Sequence, residues 1–330
     1  MIVLGIETSC DETSCSIIKN NKVLSNVVKT QKIHESFGGV VPDLASKDHE
    51  KKITIIVNEA VHEANVDLSD IDGIAVTYGA GLLGSLIVGL NFAKGLALGL
   101  NIPLIGVSHL EGHLSSGFIN NTPSFPSLSL IVSGGHTQIW KLENINDFKV
   151  ISNTVDDAAG EAFDKGARIL GLGYPGGPEI EKIAKTGNPF KYKFTIPEVK
   201  KNKFNFSFSG LKTSLLYLKK NLDKKEDYLV EDLAASYQHA IIESLLSKLD
   251  RAISTHQIFN IMIVGGVSAN KYFRNYASKI QEKYNLNLIF PDFEYCTDNA
   301  AMIAMAGYFK LKKKEFSDLS IEPNPNIIYK

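Results

Sequence analysis

The sequence predicts an α/β fold of two similar lobes, and three observations carry that reading. The chain has 330 residues, 44% of them hydrophobic, enough for more than one core. Short apolar runs of strand length alternate with stretches of helical periodicity, the pattern of sheets covered by helices. The order of elements then repeats. Each half opens with a strand, a small-residue turn and a returning strand (6–13 and 131–137), and each later runs a strand into a glycine loop and a helix. Those loops are Gly79-Ala80-Gly81-Leu82-Leu83-Gly84-Ser85 in the first half and Gly265-Gly266-Val267-Ser268-Ala269-Asn270 in the second.

Taken in order, residues 3–7, 15–19 and 23–28 read as strands joined by tight turns. A helix over 47–64 sets Ile53, Ile56, Val57, Ala60 and Ala64 on one face. Strands around Ile74 and Ile105 bracket 82–100, a segment apolar enough to resemble a membrane span. Asn91, Lys94 and the glycines at 84, 89, 95 and 99 make it instead the buried crossover helix of a β-α-β unit. Ser108 suits the N-cap of the helical turn that follows. After a Pro/Ser/Asn-rich joint at 120–126, strands at 128–133 and 137–142 flank a Gly134-Gly135 turn, and 149–153 makes a third. Helices follow at 157–170 and 229–255, then a strand at 261–264, a helix from Asn270, a strand at 286–290 and a last helix capped by Asp298. The lobes are expected at 1–108 and 109–330, with the last helix packing back towards the first.

Composition excludes several classes of function. The net charge of −1 gives no global electrostatic case for nucleic acid or membrane. The cysteines, Cys10, Cys15 and Cys296, lack metal spacing and are odd in number, which suits a reducing cytosol. The start, Met1 to Glu7, has no basic n-region and meets an acid too early for a signal peptide, so a cytoplasmic protein is expected.

The chemistry concentrates in a few motifs. In His109-Leu110-Glu111-Gly112-His113 the imidazoles lie four apart, on one face of a helix, and can share a divalent ion. Asp298, after the last strand of the second half, can complete a His-His-Asp set that leaves coordination positions open. Glu111 is not adjacent to His109, so the HExxH base of a zinc peptidase is missing. Ser133-Gly134-Gly135 offers backbone N–H groups to an anion. Glu161 and Asp164 lie one turn apart, and a glycine loop at 171–178 leads to a helix carrying Glu181; such carboxylates can accept ribose hydroxyls. Walker and dinucleotide-type glycine motifs are absent. The duplicated plan is that of the actin/Hsp70/sugar-kinase-like (ASKHA) fold, with a nucleotide and metal cleft expected between the lobes.

The motifs carry a resemblance. Glu7-Thr8-Ser9-Cys10-Asp11-Glu12-Thr13, the stretch from Gly38 to Ser46, the histidine pair, Val132-Ser133-Gly134-Gly135-His136-Thr137, the loop from Gly265 to Asn270 and Thr297-Asp298-Asn299-Ala300-Ala301 follow one another as in the TsaD/Kae1/Qri7 family. Over essentially its whole length the chain resembles these tRNA threonylcarbamoyladenosine synthases, once described as O-sialoglycoprotein endopeptidases, and most of all the bacterial type. The resemblance implies transfer of the threonylcarbamoyl group from threonylcarbamoyl-AMP to the exocyclic amine of the adenosine 3′ of the anticodon, in tRNAs reading codons that begin with A. It implies one Fe2+ or Zn2+ per subunit on His109, His113 and Asp298. Substrate contacts would come from Ile131, Val132, Ser133, Gly134 and Gly135, with Asp164 and Glu181 on the ribose, Gly177 along the base and Asn270 anchoring the nucleotide; AMP or ATP can occupy the same site. Asp11 or Glu12 would receive a proton from the attacking amine. Implied partners are tRNA, an inactive paralogue (TsaB), a small P-loop ATPase (TsaE) and the upstream threonylcarbamoyl-AMP synthase (TsaC/Sua5), with no membrane.

Lys191, Lys193, Lys200, Lys201 and Lys203 stand among Tyr192, Phe194 and Phe204, a mixture suited to phosphate contact and base stacking. The competing readings are a metalloprotease, an ASKHA-fold small-molecule carbamoyltransferase or kinase, and a non-catalytic scaffold. The first lacks its base, and the last predicts loss of the histidine pair, which is present.

Overall fold

Strand β1 (Ile2–Glu7) is buried along nearly all its length and takes partners on both sides. The computed structural model describes residues 1–145, 147–200, 202–225, 228–327 and Tyr329. After β1 come β2 (Glu12–Lys19), β3 (Lys22–Thr30), α1 (Pro42–Ala64), β4 (Gly73–Gly79), α2 (Leu83–Leu100), β5 (Leu104–Ser108) and α3 (His109–Ser116). The strands form a sheet in the order β3-β2-β1-β4-β5, antiparallel on the hairpin side and parallel across β1, β4 and β5.

Helix α1 starts earlier than its apolar periodicity suggests, because Pro42 supplies the fixed φ of a first helical position. Its buried Ile53, Ile56, Val57 and Ala60 pack with Leu4, Ile6, Ile74 and Val76 of the sheet and with Leu90, Ala93 and Ala97 of α2. Among the described residues α2 alone is long and apolar enough to cross a membrane, with a mean hydropathy of 1.6. One side of it lies in this core, while Leu83, Ile87 and Leu98 are exposed.

The second unit repeats the plan. It contains β6 (Ser127–Val132), β7 (Thr137–Asn144), β8 (Asp147–Asn153), α4 (Ala159–Leu170), α5 (Gly176–Ala184), α6 (Ser209–Asp223), α7 (Val230–His256), β9 (Asn260–Val264), α8 (Lys271–Tyr284) and β10 (Asn287–Ile289). Its sheet runs β10-β9-β6-β7-β8, with the hairpin strands antiparallel and β6, β9 and β10 parallel, the same connectivity as the first. Helix α6 is not among the expected elements. Its core is centred on α4 and α7, with Phe163, Phe206, Phe208, Tyr237 and Ile241 among the buried side chains.

The last helix, α9 (Ala300–Lys312), belongs to the first unit. The chain divides into Met1–Thr122 with Pro291–Tyr329, and Pro123–Phe290, so the boundary expected after residue 108 differs from the observed one. The reason is packing: α3 and the first sheet both lie against α9. A Cβ at Gly5 of β1 would meet the Ala300 carbonyl and the Ala304 backbone, so the sheet and α9 approach as closely as glycine and alanine allow. Asn299, not Asp298, caps α9, its side chain accepting the Met302 N–H at 3.1 Å.

Candidate functional site

The junction of β5 with α3 sets two imidazoles side by side. Glu111 accepts the Ser108 N–H at 3.2 Å and Lys310 Nζ at 2.8 Å, and Lys310 also donates to the Gly106 carbonyl at 3.1 Å. The first turn of α3 is thus tied to both β5 and α9. The His109 and His113 rings meet edge to face, with centroids 4.6 Å apart. Asp298 Oδ1 is 3.4 Å from His109 Nε2 and 3.2 Å from His113 Nε2. One ligand atom from each of the three lies within 4.8 Å of the others, a group that could hold a metal ion. Freed from capping, Asp298 is available for that role.

The donor set tests well against Fe2+ or Zn2+, which take imidazole and carboxylate together. His113 Nδ1 is buried without a hydrogen-bond partner, and its buried Nε2 makes no aligned hydrogen bond, having only the Asp298 carboxylate 3.2 Å away. Such atoms cost about 1–3 kcal/mol each when unmatched, and coordination removes that cost for one of them.

Charge is arranged to match. Burial alone would lower the His109 pKa, but the carboxylates of Asp298 and Glu7 hold it well above the usual histidine value. Burial would raise Asp298, yet the His109 charge keeps it well below the usual carboxylate range. His113 is pushed down by burial and by its charged neighbour His109. Glu12, at the start of β2, is pushed well above the carboxylate range by burial and then by the charges of Asp298 and Asp11. Asp11 and Glu12 are both half-buried, and the Asp11 carbonyl accepts the Gln31 N–H at 3.0 Å.

Glu7, at the end of β1, is a site residue that the motifs alone did not single out. It is fully buried; Oε1 accepts the Ser9 N–H, Oε2 accepts the Thr77 hydroxyl, and Oε2 lies 3.3 Å from His109 Nδ1. An acid ending an otherwise apolar strand was the signal available in the sequence.

In the second unit Ile131 and Val132 end β6 and lead into the Ser133-Gly134-Gly135 turn. That turn is closed by Ser133 N–H to the His136 carbonyl at 2.9 Å. A Cβ at Gly134 or Gly135 would meet nothing, so the space beside the turn is open. The first turn of α4 packs onto it, through Gly160 N–H to Ser133 O at 3.1 Å and Glu161 N–H to Gly134 O at 3.2 Å. Asp164 accepts the Gly176 N–H at 2.8 Å and so holds the start of α5 beside Gly177. Burial raises the Asp164 pKa. Glu181 accepts the Lys271 N–H at 2.9 Å. Asn270 caps α8 by accepting the Phe273 N–H at 2.8 Å, and its amide donates to Gln238 at 2.7 Å. A pocket of about 250 Å³ opens at Glu181, lined also by Lys185, Gln238, Lys271, Tyr272 and Asn275 among others.

The lysine-rich segment divides by orientation. Lys191, Lys193, Lys200 and Lys203 are exposed, and Lys201 lies outside the described residues. Phe194 is buried and Tyr192 and Phe204 pack against the second core, so these rings are not free platforms for bases. That part of the stacking expectation is corrected, and the four described lysines face solvent.

Residues 22–305 match the family model described as TsaD: tRNA N6-adenosine threonylcarbamoyltransferase. The chain belongs to the TsaD family. A Thermosipho africanus protein named tRNA N6-adenosine threonylcarbamoyltransferase is 51% identical, over 99% of this chain and 99% of its own. A Christiangramia forsetii protein of the same name is 47% identical, over 97% and 96%. Among solved structures, HypF of T. kodakarensis superposes with a TM-score of 0.64 at 14% identity, covering 95% of this chain and 48% of its own. Component A of the Acidaminococcus fermentans (R)-2-hydroxyglutaryl-CoA dehydratase gives 0.55 at 14%, covering 94% and 99%. At such identities what these structures share with this TsaD family member is the fold.

Proposed function

We propose that this chain transfers the threonylcarbamoyl group of threonylcarbamoyl-AMP to the exocyclic amine of the adenosine 3′ of the anticodon, in tRNAs reading codons that begin with A, and releases AMP. The observation that carries this reading is whole-length identity of about half with relatives named for that transfer, together with retention of the His109, His113 and Asp298 group. In the reaction the amine nitrogen attacks the carbamoyl carbon, the bond from that carbon to the phosphate oxygen breaks, and AMP takes the electron pair. The proton lost by the amine goes to Glu12 or Asp11, the two carboxyls at the start of β2. Fe2+ or Zn2+ held by His109, His113 and Asp298 would supply Lewis acidity at the carbamoyl-phosphate end of the substrate.

The backbone from Ile131 to Gly135 meets the substrate at the open turn. Asp164 and Glu181 take the ribose hydroxyls, Gly177 lines the base, and the pocket beside Glu181 has room and polar groups for adenine. The Asn270 side chain is already engaged at both ends, so it acts by holding the loop from Gly265 to Asn270 against α7. Exposed Lys191, Lys193, Lys200 and Lys203 supply phosphate contacts for tRNA. TsaB, TsaE and TsaC/Sua5 are the partners this reading requires, in the cytoplasm. The test is AMP release from threonylcarbamoyl-AMP with the partners present. It is expected with tRNA carrying adenosine 3′ of the anticodon and not with guanosine there; release that ignores this base contradicts the reading.

A further inference from the structure

We infer that Glu7 is the positioning residue of the metal group, fixing the His109 ring so that its Nε2 lone pair faces the ion. The inference rests on the metal part of the proposed function and concerns a residue outside the His-His-Asp set. An imidazole has one donor and one acceptor nitrogen when neutral, and the partner of one nitrogen decides what the other presents. The His109 atom turned to Asp298 and the ligand space is Nε2, and the atom turned away, Nδ1, lies 3.3 Å from Glu7 Oε2. A carboxylate only accepts, so the hydrogen in that contact belongs to Nδ1. Ser9 Oγ, 3.1 Å from the same nitrogen, can act either way and does not fix the direction by itself.

Glu7 is held in turn. The Thr77 hydroxyl from β4 and the Ser9 N–H each donate to one of its oxygens, so its orientation is set by β4 and by the turn after β1 before any ligand arrives. The two histidines differ in this respect, because His113 Nδ1 has no hydrogen-bond partner and its ring is placed by packing. Glu7 and Asp298 together also give two carboxylates to one divalent ion, so a bound metal meets a buried environment of matching charge. Outer carboxylates of this kind change metal affinity by about 10–100-fold when removed.

The test is titration of the full-length chain with Co2+, read by its visible absorption and by competition with a chelator, alongside thermal melts of the metal-free proteins. Glu7→Gln keeps the shape and removes the charge; it is expected to bind Co2+ about 10–100-fold more weakly with a shifted visible band. Thr77→Val keeps the charge but removes the hydroxyl that holds Oε2 in place beside His109, and is expected to shift the band and weaken binding to a smaller degree. Parent-like affinity and spectrum in both variants, with Co2+ binding lost in His109→Ala, overturns the role of Glu7 alone. Parent-like binding in His109→Ala overturns the metal group itself, and with it this inference. If Glu7→Gln does not fold, Thr77→Val decides by the same criterion.

Discussion

His113 illustrates how function and stability diverge at a single residue. A fully buried imidazole whose Nδ1 has no partner and whose Nε2 meets only the Asp298 carboxylate, without an aligned hydrogen bond, is a liability to the metal-free fold. Leucine has a similar volume and no polar atom, so His113→Leu should abolish metal binding without lowering the melting temperature measured in chelator; a drop of many degrees would show that the ring is needed for packing. His109 makes a complementary prediction about pH. Its pKa in the metal-free fold is raised, so the protonated ring contributes stability that is complete below about 6.5 and fades as pH rises through the folded value. The ion must displace that proton, so metal affinity should climb steadily from pH 6 upward and continue past 6.5, as chelator competition across that range will read. Flat affinity over the range contradicts the assigned ligand. The ligands themselves were legible in the sequence because the histidines are four apart and Asp298 sits at a recognisable helix start. Glu7 was less so: its partners Thr77 and His109 come from distant segments, and only the fold brings them together.

At the scale of elements, the close approach of β1 to α9 explains a glycine in the middle of a buried strand. A methyl group at Gly5 meets main chain rather than flexible side chain, so the strand or the helix must shift. Gly5→Ala should destabilise the fold by roughly 1–3 kcal/mol, measured by denaturant unfolding, and an effect near zero would mean that the helix moves aside freely. Strands and long helices could be read from periodicity, but their ends depended on local chemistry. Pro42 extended α1, and Asn299 rather than Asp298 capped α9 because the Asp298 carboxylate is turned to the two histidines. The spacing of Leu211, Leu215, Leu218 and Leu222 is helical, yet α6 follows a lysine-rich irregular stretch that masks its start. That same stretch misled about Phe194, Tyr192 and Phe204, since alternation of lysine with aromatics does not reveal which side faces a core.

For the whole molecule, the repeated order of strands is legible in the sequence because each half opens on a hairpin with a small-residue turn and later runs a strand into a glycine loop. The identical sheet connectivity of the two units follows from that order. The division of the chain was harder to read, since the segment from Pro291 returns to the first unit through contacts far apart in sequence. The return is what brings Asp298 to His109 and His113, so the metal group exists only when both ends of the chain are in place. The central claim is a threonylcarbamoyl transfer that depends on this group. Its most direct test is incorporation of labelled threonine into unmodified tRNA with a UNN anticodon, with the chain, the adenylate-forming enzyme, bicarbonate, ATP, the partner proteins and divalent metal present. Label on the tRNA nucleoside with the parent chain, lost with His109→Ala, is the predicted result. Absence of label from tRNA with the parent chain, while nucleotide still binds, would contradict it.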